Sequence, residues 1–263
     1  MPDQWLLFLA IGLVAGVMSG MFGIGGGAII VPALVLLMGF DQTLATGTSL
    51  GALLLPVGIF GCIAYYNQGK LKIKPALAVA LGLLLASWFG ARLALNLPEQ
   101  VLKQSYGILL LVMAWRYIAP RKWYAEWRGK EVPAPQAEEI DPDSPRVLLT
   151  TLAIGLVAGI ASGLFGIGGG VVIVPALTML LHFDQKLATG TSLGALLLPV
   201  GLPAVLAYND VGDVNIGAAA PIAVLLLIGA FFGARITLAL PTKTVRRLYG
   251  FFLLFVGLRF LLG

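Results

Sequence analysis

The chain has 263 residues, of which 59% are hydrophobic and only 11% charged, and it carries a formal net charge of +5. Soluble globular domains carry about 25% charged residues, so this composition, with a mean hydropathy of +0.96, excludes an ordinary water-soluble domain and points to an integral membrane protein. The single cysteine, Cys62, excludes an intramolecular disulfide and a Cys-based metal cluster, and the basic balance fits loops on the cytoplasmic side of a membrane better than nucleic acid.

The first hydrophobic run, Trp5 to Phe22, follows only MPDQ. It has no basic n-region, so it reads as structure and not as a cleaved signal peptide. GIGGG separates it from a second run, Ala28 to Met38. Both are short for a full crossing, which takes about 20 apolar residues. Three longer runs follow, Leu44 to Tyr65, Ala76 to Leu95 and Val101 to Ile118, and each suffices to span. The polar, proline-rich stretch from Ala119 to Pro145 then reads as a loop. Its Trp123, Tyr124 and Trp127 lie among basic residues. That mixture suits the headgroup layer, and a patch against neighbouring helices is the alternative.

After this stretch the series starts again. Gly12 to Gly58 aligns without a gap to Gly155 to Gly201, with about 37 of the 47 positions identical, the signature of an internal repeat. The division is a first transmembrane repeat over 1–118, a linker over 119–146 and a second repeat over 147–263. The positions of Lys and Arg orient the halves. If the second half enters upside down, about fourteen cations fall on one side and three on the other, whereas parallel halves give about ten against seven. The expectation is an all-α integral membrane fold of two inverted-topology repeats. Glycine-broken or re-entrant half-helices should bring it to about 8–10 transmembrane segments. The linker is expected in the cytoplasm and both termini outside the cell membrane.

The chemistry concentrates in the duplicated break. GIGGGA from Gly23 formally fits a dinucleotide-binding G-x-G-x-x-A pattern. That pattern needs a preceding strand and a βαβ unit, and here it sits between membrane-type runs, twice. No cofactor is therefore expected. Gly12, Gly16 and Gly20, with Gly155, Gly159 and Gly163, recur at a four-residue spacing that suits close helix packing in lipid. Gly25, Gly26 and Gly27 are consecutive, each weakening a helix by about 1 kcal/mol relative to alanine. The helix should break there, and in a bilayer a break is tolerated only where protein or water satisfies the freed backbone. The helix that restarts presents bare N–H groups and partial positive charge, a ready anion site. Packing alone is the competing explanation.

Downstream, ATGTSLGALLLPVG occurs in both halves. Thr46, Thr48 and Ser49, with Thr189, Thr191 and Ser192, read either as neutral donors to an oxyanion or as groups bonding back to helix ends. Pro56 and Pro199 should kink these helices. Asp41 and Asp184 read as N-caps or as a candidate proton relay. Arg92 and Arg235, at helix ends, read as snorkelling cations, and the lone His182 as interfacial. No H-E-x-x-H motif is present and no catalytic dyad is apparent, so no enzyme is expected.

Two copies of SGxFGIGGG…VPAL, each followed by ATGTSLGALLLP, resemble the TauE/SafE, or sulfite exporter, family over both hydrophobic halves. The resemblance implies a multi-pass cytoplasmic-membrane transporter of a small anion such as sulfite or an organosulfonate. It implies a substrate region at Gly23, Gly25, Gly26, Gly27, Thr48 and Ser49, and at Gly166, Gly168, Gly169, Gly170, Thr191 and Ser192. The expected partners are that anion, the lipid bilayer and a coupling proton or cation. A cation-coupled carboxylate carrier, a channel, and a packing or assembly protein without transport are the other readings.

Overall fold

The computed structural model describes residues 2–56, 58–120, 128, 144–239 and 242–262. Trp123, Tyr124, Trp127 and most of the linker lie outside them. Among the described residues every regular element is a helix.

Helix α1 (Pro2–Phe22) runs through the first apolar stretch and stops where Gly23 turns left-handed at φ 69°, its N–H bonding the Ser19 carbonyl. Gly25 and Gly26 also have positive φ, 79° and 85°, a conformation that costs glycine nothing and other residues about 1 kcal/mol or more. Helix α2 (Gly27–Met38) restarts at once. Next come α3 (Gln42–Ala52) and α4 (Ile59–Asn67), then the long α5 (Ile73–Leu95) and α6 (Glu99–Ile118). The second half repeats the series as α7 (Pro145–Phe165), α8 (Gly170–Leu180), α9 (Gln185–Ala195), α10 (Leu202–Asn209), α11 (Ile216–Ala239) and α12 (Thr242–Leu262). Stretches of α1, α5, α7 and α11 are long and apolar enough to cross a membrane.

Three expectations need correction. Trp5 to Phe22 reads as short for a crossing, but Gln4–Phe22 is long and apolar enough to make one, whereas Val101 to Ile118 reads as a full span and α6, with Lys103 and Arg116 in its apolar run, is not among the helices that qualify. Leu44 to Tyr65 reads as a single kinked span, but it is two helices, with residues 53–56 and 58 outside both, and residues 196–201 interrupt the second copy. Pro56 and Pro199 supply no N–H to the ladder, and Gly58 and Gly201 follow two residues later, so the kink becomes a full break. Each repeat therefore carries two interruptions, GIGGG and LLLPVG.

The repeats are intertwined. Gly12, Gly16 and Gly20 of α1 lie against the backbone of Ile222, Leu226 and Ala230 in α11. Gly155, Gly159 and Gly163 of α7 lie equally close to Val79, Leu83 and Ser87 in α5. The four-residue glycine stripes thus serve packing. They join the first helix of each repeat to the long helix of the other, and both pairs run parallel. Two buried clusters follow this exchange: one centres on α1, α2 and α11 with α6 and α12, the other on α5, α7, α8 and α9.

Helices α6 and α12 are sequence equivalents. They pack antiparallel, Gly107 against Gly257 and Gly250 against Tyr117 and Ile118. Equivalent helices in antiparallel contact require a pseudo-two-fold axis perpendicular to them, which for spanning helices lies in the bilayer plane. The repeats are inverted. Gly25 and Gly168 are also equivalents and meet each other: a Cβ built on Gly25 would stand 3.7 Å from the Gly168 Cα. Residues that touch their own copy lie on the axis, so both breaks sit at mid-depth.

Candidate functional site

At each glycine break one helix ends in carbonyls and the next begins in amides, and the protein treats the two sides differently. The carbonyl side is occupied. Tyr65 Oη donates to the Gly20 carbonyl at 3.4 Å, Thr237 Oγ1 to Met21 at 3.0 Å, Thr189 Oγ1 to Phe22 at 3.4 Å and Ser192 Oγ to Gly23 at 2.7 Å. In the other copy Tyr208 Oη donates to Gly163 at 2.8 Å and Ser49 Oγ to Gly166 at 2.8 Å. Most of these hydroxyls come from the opposite repeat. The stacking of Tyr249 on Phe22, with ring centroids 4.8 Å apart, and the contact of Tyr106 with Phe165 at 5.6 Å hold α12 and α6 against the same helix ends.

The amide side is bare. Gly23 N–H bonds Ser19, and bonding resumes at Ile29 N–H, which reaches Gly26. Between them the amides of Ile24 to Ala28 make no backbone hydrogen bond among the described residues, nor do those of Ile167 to Val171 in the other copy. All ten residues are buried. A buried N–H without a partner costs about 1–3 kcal/mol, and native structures leave few of them.

Both breaks open on one cavity of ≈ 20 Å³, walled by Ser19, Gly25, Leu50, Leu53 and Gly58, their equivalents Ser162, Gly168, Leu193, Leu196 and Gly201, and Val200. All four interruptions of the chain contribute. The volume is that of about one water. Of the twelve residues the sequence nominates, Gly25 and Gly168 form the wall. Gly27 and Gly170 pack on the opposite break, against Gly166 and Gly23, and Gly26 and Gly169 cover the starts of α2 and α8 in left-handed conformations. Gly23 and Gly166 cap α1 and α7 and supply the carbonyls taken by Ser192 and Ser49.

The hydroxyls sit elsewhere. Ser49 and Ser192 have donated their protons, so they turn only lone pairs outward. Thr48 Oγ1 accepts from the Asn215 N–H at 3.0 Å and Thr191 Oγ1 from the Lys72 N–H at 3.3 Å, tying the loops before α11 and α5 to α3 and α9. Ser19 and Ser162, which sequence reasoning missed, are on the wall instead. Ser19 is 1% exposed, and its Oγ has no hydrogen-bond partner among the described residues. The signal was present: both serines open the repeated SGxFGIGGG, one turn before the break.

The two aspartates are far from equivalent. Asp184 Oδ1 accepts from the Lys186 and Leu187 amides, each at 3.0 Å, and Oδ2 pairs with Lys70 Nζ at 2.9 Å. Partial burial works to raise its pKa, but the hydrogen bonds from Lys70 and these amides outweigh it and hold the carboxyl below its usual value. Asp41 occupies the same N-cap position without a side-chain cap bond. Arg92 lies 3.7 Å from Asp210, Arg235 stands 4.2 Å over the Phe231 ring, and His182 is exposed in the turn after α8. None of them is on the cavity wall. Among the described residues no group of His, Cys, Asp or Glu gathers to hold a metal.

A lowered folded-state pKa contributes stability above the unfolded value, about 3.9 for Asp, and that contribution is lost as pH falls through the folded value. Asp184→Ala should cost about 1 kcal/mol at neutral pH, mostly from the lost cap. Asp184→Asn keeps a cap and loses an exposed ion pair worth about 1 kcal/mol or less. It should therefore lie near wild type at neutral pH while lacking this acid-dependent step. Thermal unfolding in detergent across the acid range measures both.

Inverted repeats, helices broken at mid-depth and an axial cavity between them define a membrane transporter. The chain belongs to the sulfite exporter TauE/SafE family, which it matches over residues 8–260. It is 30% identical over 250 residues to a probable membrane transporter protein of Methanocaldococcus jannaschii, covering 90% of this chain and 86% of that one. It is 26% identical over 268 residues to the probable membrane transporter protein YunE of Bacillus subtilis, covering 97% and 96%. No solved structure matches the chain.

Proposed function

We propose that the protein carries a small anion, sulfite or an organosulfonate, across the cytoplasmic membrane by alternating access. The observation that carries this reading is the asymmetry of the breaks: carbonyls bonded by side chains, amides left bare beside a cavity on the axis. Bare amides and helix N-termini favour negative charge, and the spread oxygens of a sulfonate or sulfite accept several such bonds. The family's name supports the sulfur oxyanion.

The cavity is too small for a sulfonate head, so this conformation is occluded and the wall must move. The moving units follow the packing, α1, α2 and α11 against α5, α7 and α8, so each contains parts of both repeats. Ser49 and Ser192 act by holding the carbonyl side closed, which leaves positive potential dominant. Purified protein in liposomes loaded with unlabelled sulfite should accumulate labelled sulfite in saturable counterflow. A flux that rises linearly with concentration would mean a channel, and counterflow with carboxylates but not sulfur oxyanions would replace the proposed substrate. A reporter fused after Gly263 should be active only outside the cytoplasm, and a cytoplasmic signal would reverse the proposed orientation.

A further inference from the structure

We infer, resting on that reading, that the site takes a singly charged oxyanion and that Ser19 and Ser162 are hydroxyls that hold it. The chemistry of the cavity wall is the first ground. It consists of serine, glycine, leucine and valine, with no cation to offset a guest's charge. Of the charged groups on the surrounding elements, Asp41, Arg92, Arg146, Asp184, Asp210 and Arg235 stand exposed at helix ends, and Lys74 and the half-buried Lys186 lie in the first turns of α5 and α9, off the cavity wall. The titratable groups deeper in those elements are Cys62, Tyr65 and Tyr208, whose ordinary forms are neutral.

Moving a charge from water into such a place costs energy that rises as the square of the charge, so a dianion costs about four times what a monoanion does. Hydrogen-bond donors alone can offset the smaller cost. Amides and hydroxyls are neutral dipoles, and each bond to a charged acceptor contributes about 1.5–3 kcal/mol. Sulfate and fully deprotonated sulfite are therefore excluded by charge. Bisulfite and alkyl sulfonates carry the same oxygens with one charge and are admitted.

The second ground is the serine pair. Ser19 Oγ is buried without a partner on this wall, and Ser162 is its equivalent across the axis, 3% exposed. Each lies in the last turn of its helix, next to the bare amides. Two hydroxyls placed about a two-fold axis can donate to two oxygens of one head group, whichever side it entered from. That arrangement suits a carrier whose site must be the same in both orientations.

The test measures binding of sulfite, methanesulfonate and sulfate to the purified protein by calorimetry, from mildly acidic to mildly alkaline buffer. Methanesulfonate stays a monoanion throughout, so its affinity should hold constant. Sulfite should bind more tightly as pH falls, in proportion to its bisulfite fraction, and sulfate should not compete. Ser19→Ala and Ser162→Ala should each weaken methanesulfonate about tenfold, and the double variant further, with unfolding temperatures near wild type. Sulfate competing as well as methanesulfonate, sulfite affinity rising with pH, or unchanged affinity in both serine variants overturns the inference while leaving sulfur-oxyanion transport standing. Absence of binding by all three anions removes the transport reading together with it. The pH and competition arms use the unaltered protein, so they decide even if a variant folds poorly.

Discussion

Gly27→Ala is expected to abolish transport and to lower the unfolding temperature by several degrees, and Gly170→Ala is expected to do the same. Local propensity predicts the opposite. Each residue opens a helix, and alanine is the better helix former by about 1 kcal/mol. What decides is the contact across the axis. A Cβ on Gly27 would collide with the Gly166 carbonyl and the backbone of Ile167, and a Cβ on Gly170 with the Gly23 carbonyl and the backbone of Ile24. These are main-chain atoms of the other repeat's break and cannot rotate aside. Forcing a methyl into such a contact costs about 1–3 kcal/mol, occasionally more. It also pushes apart the two carbonyls that Ser192 and Ser49 hold. Gly51→Ala is the internal control. Its nearest neighbours would be side-chain carbons at 3.5 and 3.7 Å, so it should be neutral or slightly stabilising. Flux in liposomes and unfolding in detergent read both effects. Normal flux in Gly27→Ala would mean that the breaks do not meet as described.

How far the sequence discloses this depends on the kind of interaction. The first break is legible because three glycines in a row cannot hold a helix, and the inverted arrangement is legible because Lys and Arg positions depend on sidedness. The second break is under-read. A lone proline reads as a kink, and its force becomes plain only with Gly58 and Gly201 following in an unwound turn. The exchange of helices between repeats is hidden for a different reason. Two copies of nearly one sequence carry the same glycine stripe, so nothing local tells Gly16 to choose Leu226 over Leu83. The hydroxyls leave two readings open in sequence, donor to a guest or bond to a helix end. A sequence shows that Ser49 can donate but not that the Gly166 carbonyl has already taken the proton. Ser19 was under-read for the converse reason, since a serine among glycines looks like packing until its neighbours leave it unbonded.

Leu53→Ala and Leu196→Ala are expected to change what the cavity admits, and the pair together to make it leak. Leu53 comes from the second interruption of the first repeat and reaches across the axis: its Cδ1 stands 2.8 Å from where a Gly168 Cβ would be. Leu196 does the same over Gly25 at 3.2 Å. Each side chain therefore covers the glycine of the other repeat's break and limits the cavity to ≈ 20 Å³. Burial of a full leucine would make truncation cost about 2–5 kcal/mol. Both are only partly buried and border a cavity, so the stability loss should fall at the lower end. The functional change should be larger. Each truncation removes three carbons from the wall, enough to admit ethanesulfonate or a bulkier alkyl sulfonate beside methanesulfonate. An in-plane axis exchanges the two faces of the membrane, so the two leucines act from opposite faces. One remaining leucine still closes one side, and single variants should keep saturable counterflow with a wider size range. Loss of both should leave a passive flux of methanesulfonate that no longer saturates. Counterflow and passive efflux, compared over a series of alkyl sulfonates, separate the two behaviours. A double variant as tight and as size-selective as wild type would show that the closure lies elsewhere.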